Sequence, residues 1–455
     1  MTRLAVLGLV LVAAVIAGFA FREPGNYGGL SDHDLTIYLA AAAVAGLAYA
    51  AGVWLVRHRP APGALAIILA AGMLARAAVL FVPPLMSTDI YRYVWDGHVQ
   101  AAGINPYRYL PIDPALAPLR DRPLYGDDAD PRRPTDIFPN INRVDSAPTI
   151  YPPVAQALFL AVGLTAPSLW TMKAALLALD LATLCIGLLL LRTAGRPAAH
   201  ILVWAWNPLV IWEFSGAGHI DALAVAFVAL AMLLAARSRQ GWAGLAMGAA
   251  IAAKLLPAVL FPAIWRRWDL RSPLAAAALV LVGYAAYASV GMRVFGYLTG
   301  YTQEEKLQDG AGFLALRLLH LAGPLPSWAG AAYLAAGLAL LGGCALWVVR
   351  SPLPPAPAAR ASVIARGALI MASVLIAVMS PHYPWYLTIL VLPAILVPAW
   401  SALWPTLAGP LLYLDPERDR LIWPALVFLP ALFLLLIDLR ARRPAPAAIL
   451  VNGGN

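Results

Sequence analysis

Long apolar runs recur from one end of the chain to the other, and short polar segments separate them. Residues 4–20, 37–56 and 64–82 are examples, and each is almost free of charged side chains. A helix needs about 20 apolar residues to cross a bilayer, whereas the strands of an outer-membrane barrel alternate between apolar and polar positions. The pattern therefore predicts an all-α polytopic membrane protein.

The runs predict about twelve full spans, and about 12–14 transmembrane helices in all. After the first three, the remaining predicted spans are 169–191, 200–214, 220–234, 274–290, 328–349, 363–379, 383–397, 400–414 and 421–439. Run 4–20 is alternatively a cleaved signal sequence, and residues 151–164 are predicted to dip into the outer leaflet and return. We see no soluble domain, so residues 1–455 are predicted to form a single transmembrane domain.

Charged residues give these spans an orientation. The chain is 62% hydrophobic and 12% charged, with a net charge of +9. Its arginines mark every second loop, which is the positive-inside pattern of a membrane protein and not a nucleic-acid-binding patch. The arginines concerned are Arg57, Arg59, Arg192, Arg196, Arg237, Arg239, Arg266, Arg267, Arg271, Arg350, Arg360, Arg440, Arg442 and Arg443. This orientation places the long polar segment 86–150 outside the cytoplasm.

Residues 241–265 do not fit as one crossing, because Arg239 and Arg266 both belong on the cytoplasmic side. A pair of half-helices, 243–253 and 255–264, solves the problem and leaves Lys254 at the apex. Irregular backbone at membrane depth is tolerated where it lines a protein cavity, and an ammonium there is costly unless it meets an anion. The alternative is that Lys254 extends its side chain toward the membrane surface.

The predicted topology brings several polar segments to the outer face. They are the pair Asp89 and Asp96, the segment GINPYRY (103–109), the segment EFSGAGHID (213–221), Lys254, and the segment SPHYPWY (380–386). Convergence of residues that are distant in sequence is what a functional site requires.

Asp89 and Asp96 lie seven residues apart, with Arg92 between them. In a helix this spacing puts the three side chains on one face. One interpretation is a solvated, ion-paired helix on the membrane surface, anchored by Tyr91, Tyr93 and Trp95. The functional interpretations are a general base with its partner, or a shared metal site.

Each of the other polar residues has a structural interpretation beside the functional one. His219 and Asp221 follow glycines in a loop, where an exposed structural role competes with ligand binding. His382 is either a core histidine or a site residue on an irregular turn between prolines. Asp180 lies inside a predicted span and either pairs with another helix or is functional. No nucleotide-binding glycine loop and no HExxH zinc motif occurs in the sequence.

The polar segments resemble a known family. The stretch STDIYRYVWDGHVQAAGINPYRY, followed by YPP at 151–153, is similar to the first outer loop of the GT-C glycosyltransferases that use polyprenyl-phosphate sugars. The segments WNPLVIWEFSGAGHIDALAVA, KLLPAVLFP and PHYPWYL extend the similarity over most of the chain. The resemblance is strongest to polyprenol-phosphomannose-dependent α-mannosyltransferases of actinobacteria. One departure is that three predicted spans, instead of one, precede the loop.

The resemblance implies a role for each candidate residue. Asp89 takes the place of the catalytic base, and Asp96 completes the catalytic pair. The residues expected to bind the donor phosphate are Lys254, His382 and Arg108. The residues expected to bind the sugar or the acceptor are Arg92, Tyr107, Tyr151, His219, Asp221 and Trp385.

The implied enzyme inverts the sugar configuration as it transfers a hexose, with mannose expected, to a lipid or polysaccharide hydroxyl during cell-envelope synthesis. A good leaving group needs no general acid, so one base suffices. No cofactor is expected, because Arg92 already supplies the charge that a divalent metal between Asp89 and Asp96 would bring. The expected location is the bacterial inner membrane, with the site on the extracytoplasmic side. The rival hypothesis is a transporter or flippase for lipid-linked sugars, which predicts charges along a path through the membrane and repeat symmetry.

Overall fold

The computed structural model describes residues 1–20, 32–59, 61–84, 86–120, 136–265, 268–296, 300, 310, 312–415 and 420–441. Over these residues the chain is helical, without β-strands. The longer helices are α1 (Thr2–Ala20), α2 (Asp32–His58), α3 (Ala64–Leu80), α4 (Asp89–Ala101), α5 (Pro153–Thr165), α6 (Leu169–Thr193), α7 (Asp221–Ala236), α8 (Gln240–Ala253), α9 (Arg271–Ala285), α10 (Ala329–Arg350), α11 (Pro357–Met379) and α12 (Ile422–Ala441).

Short helical segments connect the long ones. They are Pro114–Leu119, Phe138–Asn140, Ala198–Ile201, Leu202–Ala205, Pro208–Val210, the π-helical Ile211–Gly216, Leu256–Leu260, Phe261–Ile264, Ala288–Phe295, Leu314–His320, Pro384–Leu390, Val391–Ala394, Trp400–Ala408 and Gly409–Leu414. Several of the arginines used to orient the spans, namely Arg266, Arg267, Arg442 and Arg443, lie outside the described residues, as do residues 121–135 of the predicted outer loop.

Within the described part of the chain, six helices are long and apolar enough to cross a membrane, which makes this an all-α polytopic membrane protein. A seventh span results if α9 and Ala288–Phe295, which are bent by 116°, count as one. The sequence predicted about twelve continuous spans, and the described residues contain fewer helices of that length. Instead, α3, α5, α7 and the segment Pro384–Ala394 are shorter apolar helices.

Proline explains why several predicted spans are interrupted. Predicted span 200–214 is divided at Asn207 and Pro208, where the Asn207 side chain accepts a hydrogen bond from the Val210 N–H and caps a new helical turn. Predicted span 400–414 is likewise divided, because Trp400–Ala408 gives way to the short helix Gly409–Leu414, which has Pro410 in its first turn. Proline lacks the backbone N–H that a helix interior needs, so apolar composition alone overestimates the length of these helices.

Helix α4 is packed inside the protein and does not lie exposed on a membrane surface. Tyr91, Tyr93 and Trp95 are all buried, so the interpretation of these aromatics as membrane anchors is wrong. The close packing rests on glycine: a Cβ placed on Gly97 would lie 2.2 Å from the carbonyl oxygen of Phe159 in α5. The absence of a side chain on Gly97 thus lets α4 and α5 approach backbone to backbone.

The bundle interior contains an ion pair between α3 and α6. Arg76 Nε donates to Asp180 Oδ2 at 2.6 Å, and both side chains are completely buried. Trp204 donates to Asp180 Oδ1 at 2.8 Å, and a second guanidinium nitrogen of Arg76 donates to the carbonyl of Ala205 at 2.7 Å. The structure therefore supports the structural interpretation of Asp180, as a partner that holds another helix.

We expect Asp180→Ala to lower the free energy of unfolding by about 3 kcal/mol, because it leaves the Arg76 guanidinium buried without its carboxylate. Thermal unfolding of the purified protein in detergent measures this loss. The matched control is Arg271→Gln, which breaks an ion pair whose arginine side chain is 71% exposed and should barely move the midpoint. Equal midpoints for the two variants would contradict the structural role of Asp180.

Candidate functional site

Asp89 begins helix α4 and is half-buried. Its Oδ1 accepts a hydrogen bond of 2.7 Å from the side-chain amide of Asn142, and its backbone N–H donates to Ser87 Oγ at 3.2 Å. Its Oδ2 makes no hydrogen bond to any described residue. Because the Asn142 hydrogen bond orients the carboxylate and leaves one oxygen without a described donor, Asp89 is suited to act as an oriented proton acceptor.

Asp96 has a different environment. Its Oδ1 accepts from Arg92 Nε at 2.8 Å, and its Oδ2 accepts from Thr149 Oγ1 at 2.5 Å and Gln156 Nε2 at 3.0 Å. Both Asp96 and Arg92 are 2% exposed, and Arg92 also donates to the carbonyl of Ala147 at 2.8 Å. The pair connects α4 to the segment around Ala147 and Thr149, and both oxygens of the Asp96 carboxylate accept hydrogen bonds from protein donors.

These contacts bear on the metal alternative. Because Arg92, Thr149 and Gln156 already donate to the Asp96 oxygens, Asp96 is not arranged to share an ion with Asp89. No group of three or more His, Cys, Asp and Glu side chains among the described residues is arranged to hold a metal ion.

Lys254 lies where α8 ends. Its backbone is extended, with φ −157° and ψ 139°, and the short helix Leu256–Leu260 follows. Lys254 Nζ donates to both carboxylate oxygens of Asp221, at 2.9 Å and 2.7 Å, and lies 4.3 Å from the ring centroid of Tyr386. The ammonium is therefore held by an anion and an aromatic face while its side chain stays 19% exposed.

A cavity of about 750 Å³ opens beside Lys254. Lys254 is the charged residue in the described part of its wall, and Tyr151 and Tyr386 also line it. Aliphatic side chains such as Leu341 and Leu375 complete the wall. A single cation in an apolar cavity is suited to a ligand that has an anionic head and a hydrocarbon tail.

Tyr151 connects this cavity to Asp89. The ring of Tyr93, one helical turn after Asp89, lies 4.8 Å from the ring of Tyr151. Burial raises the pKa of the Tyr151 hydroxyl, and the nearby negative charge of Asp89 raises it further. The Tyr93 hydroxyl also accepts a hydrogen bond of 3.4 Å from the Ile220 N–H, next to Asp221. Asp89, the cavity and the Lys254 ion pair therefore meet around two tyrosines.

His219 lies on the other side of Asp221, buried between polar and aromatic partners. Its Nδ1 is 3.0 Å from Oε2 of Glu213, which lies in the π-helical segment, and the Tyr413 hydroxyl donates to Glu213 Oε1 at 2.9 Å. Burial by itself lowers the pKa of His219, but the hydrogen bond and charge of Glu213 reverse the effect, so the pKa is raised. The ring stacks on Trp385 with centroids 4.1 Å apart.

The predicted site residues fall into three groups. The structure brings together Asp89, Tyr151, His219, Asp221, Lys254 and Trp385. Arg92, Asp96 and Tyr107 are buried and contact neighbouring protein groups. The Tyr107 hydroxyl donates a hydrogen bond of 2.6 Å to the Tyr151 carbonyl. Arg108 is exposed, and His382 lines a neighbouring small pocket with Arg317 and Asp415.

Trp385 has little surface for a sugar. Its side chain is 6% exposed. One neighbour in the stack is His219, and the other is Tyr383, whose ring centroid lies 4.5 Å from that of Trp385. The residues that sequence reasoning did not select are Asn142, Glu213, Tyr93 and Tyr386. Tyr93 was findable, since it follows Asp89 by one helical turn, whereas Asn142 carries no local signal.

Comparisons with known proteins indicate the family of the chain. A family model described as Glycosyltransferase family 87 matches residues 149–381, which is more than half of the chain. A second model, described as Alpha-(1->6)-mannopyranosyltransferase, N-terminal domain, matches residues 3–124 and includes Asp89. No curated protein and no solved structure matches the chain. The two family matches confirm the resemblance to the GT-C glycosyltransferases.

The two aspartates of α4 should differ in how much the same substitution destabilises the protein. We expect Asp96→Asn to lower the free energy of unfolding by about 3 kcal/mol, because Arg92 then lies buried without a countercharge. Asp89→Asn should change the free energy of unfolding by no more than about 0.5 kcal/mol, since Asp89 is half-buried and has no cationic partner among the described residues. Thermal unfolding in detergent measures both. A larger loss in Asp89→Asn than in Asp96→Asn would reverse this division of roles.

Proposed function

This chain belongs to glycosyltransferase family 87 and is a multi-pass membrane glycosyltransferase, and we propose that it transfers a hexose from a polyprenyl-phosphate donor with inversion at the anomeric carbon. Mannose is the expected sugar, which the match to the mannopyranosyltransferase domain supports. The proposed acceptor is a hydroxyl of a lipid or a polysaccharide. The proposed location is the bacterial inner membrane, with the site on the extracytoplasmic side.

In the proposed reaction Asp89 is the general base. Its carboxylate takes the proton of the acceptor hydroxyl as the acceptor oxygen bonds to the anomeric carbon. The bond from that carbon to the phosphate oxygen breaks, and its electron pair stays on the polyprenyl phosphate. The hydrogen bond from Asn142 to Oδ1 supports this role, because it orients the carboxylate while Oδ2 makes no hydrogen bond to a described residue.

The donor is proposed to bind in the cavity beside Lys254, and this cavity is the observation that carries the proposal. In the described part of its wall Lys254 is the one cation and stands among apolar side chains, which suits a phosphate attached to a polyprenyl chain. As the sugar leaves, the phosphate changes from a diester with one negative charge to a monoester with two. A cation already in place stabilises this developing charge without reorganisation.

The remaining assignments follow from position. Arg92 and Asp96 are proposed to position α4 and thereby Asp89. Tyr107 is proposed to position the backbone of Tyr151 through its hydrogen bond to the Tyr151 carbonyl. Tyr151, His219 and Asp221 are proposed to surround the reacting groups. We assign the phosphate to Lys254, which lines the cavity, and not to Arg108, which is exposed to solvent, or His382, which lines the neighbouring pocket with Arg317 and Asp415. We propose metal-independent chemistry, because the oxygens of Asp96 are engaged by Arg92, Thr149 and Gln156.

Asp89→Asn tests the base directly. We expect membranes containing this variant to transfer radiolabel from polyprenyl-phosphate mannose at a rate reduced by about 10² to 10⁴, the usual contribution of a positioned base. The matched control is Asp145→Asn, which removes an exposed carboxylate of the same loop and should keep wild-type activity. Full transfer by Asp89→Asn would exclude Asp89 as the base.

The same assay separates transfer from transport. If the wild-type protein forms no glycosylated product from any polyprenyl-phosphate sugar, but moves the labelled lipid between leaflets of a reconstituted vesicle, the flippase hypothesis replaces ours.

Lys254→Gln should impair use of the donor more than use of the acceptor. We expect the KM for the polyprenyl-phosphate sugar to rise about tenfold or more, because the phosphate loses its cation, while the KM for the acceptor changes little. Lys254→Arg restores a positive charge and should recover part of the donor affinity. Equal increases in both KM values would contradict a phosphate-binding role.

A further inference from the structure

His219 and Glu213 form a buried pair that the proposed chemistry does not yet use. His219 is 1% exposed, and its Nδ1 lies 3.0 Å from Glu213 Oε2 and 3.2 Å from the Glu213 carbonyl oxygen. Its other ring nitrogen, Nε2, is buried and has no hydrogen-bond partner among the described residues. A buried polar atom without a partner is rare in folded proteins and calls for an explanation such as a ligand.

We propose that Glu213 is a positioning residue that holds His219 as a cationic hydrogen-bond donor, and that the Nε2–H of His219 binds the phosphate of the lipid donor beside Lys254. This inference rests on the proposed function and adds a second cation to the phosphate site. Glu213 touches no substrate in this scheme and acts only through His219.

A ring of contacts fixes His219 relative to Lys254. The His219 ring stacks on Trp385 at 4.1 Å, and Trp385 lies 6.1 Å from the ring of Tyr386. Tyr386 carries Lys254 Nζ over its face at 4.3 Å, and Lys254 donates to Asp221 at 2.7 Å. Asp221 is two residues from His219, which closes the ring. Both cations are thereby held by the same small set of side chains.

The charged and titratable groups around His219 favour its protonated form. Glu213 faces it from the π-helical segment, Asp221 from the start of α7 and Asp89 from α4, and all three carry negative charge. Their combined effect outweighs the desolvation caused by burial, so the pKa of His219 is raised. Stacking on the Trp385 face also favours an imidazolium over a neutral ring.

Two tyrosine hydroxyls contact the neighbours of His219. Tyr413 donates to Glu213 at 2.9 Å, and Tyr93 accepts from the Ile220 N–H. Lys254 is the neighbouring cation, and its charge is offset by Asp221.

The reaction itself supplies a reason for a second cation. Sugar transfer adds one negative charge to the departing phosphate, and Lys254 is already neutralised by Asp221. An imidazolium N–H at the phosphate offsets the added charge. His219 keeps its proton throughout, because the acceptor proton goes to Asp89 and the phosphate departs as a dianion. All atoms and charges of the transfer are thus accounted for without another reactant.

The first test is the pH dependence of kcat for wild type and Glu213→Gln. Activity that needs protonated His219 falls at alkaline pH, as pH rises through the raised pKa of His219. Removing the Glu213 charge lowers that pKa, so the alkaline limb should move to lower pH by about one unit. Tyr413→Phe keeps the carboxylate and should move it much less. An unchanged alkaline limb in folded Glu213→Gln would overturn the proposal.

The second test needs no enzyme activity. Imidazole ¹⁵N resonances of the full-length protein in nanodiscs report the protonation of its seven histidines, and His219→Gln identifies the signal of His219. We expect Glu213→Gln to lower the titration midpoint of that signal. Addition of polyprenyl monophosphate should shift its Nε2 resonance in the wild type, and no shift would overturn the phosphate contact.

The two tests distinguish the inference from the function on which it rests. A wild-type protein that transfers no sugar, yet shows the Glu213-dependent titration and the Nε2 shift, would refute the transferase chemistry and retain the His219 phosphate site. A protein that transfers sugar without either spectroscopic effect would retain the function and refute the inference.

Discussion

The ion pair between Lys254 and Asp221 is the contact on which the site depends. It joins the point where α8 stops to the first residue of α7, and it places the charged head of a lysine at the wall of an apolar cavity. An uncompensated ammonium in such surroundings would be strongly unfavourable, so the break in the helix and the carboxylate opposite it need one another. The cavity has a cation because Asp221 stabilises it there.

The same constraint applies to two buried arginines of the bundle. Arg76 is paired with Asp180 between α3 and α6, and Arg92 is paired with Asp96 within α4. In each pair the aspartate also accepts hydrogen bonds from other side chains, and the arginine also donates to a backbone carbonyl of another segment. Only Asp89, at the start of α4, keeps an oxygen without a described donor. Among these carboxylates, Asp89 is therefore the one with an oxygen that could accept a proton from a substrate.

The sequence indicated the elements better than the contacts between them. Apolar runs identified the long helices, and the conflict between Arg239 and Arg266 pointed to an interruption at Lys254, where α8 does end. Runs rich in proline were predicted as continuous spans, because composition does not register a missing backbone N–H. Asn142 was not foreseeable, since its contact with Asp89 spans 53 residues and depends on how the loop returns to α4.

The segment that carries His219 and Asp221 comes close to the start of α4 at a glycine, Gly218. Gly218 has φ +75°, a conformation that favours glycine, and a Cβ there would lie 2.6 Å from Cδ1 of Ile90. Ile90 follows Asp89, and Gly218 precedes His219. The missing side chain therefore lets the segment that carries His219 and Asp221 approach the start of α4. A larger residue at this position would strain the backbone just before His219 and press on Ile90, the neighbour of Asp89.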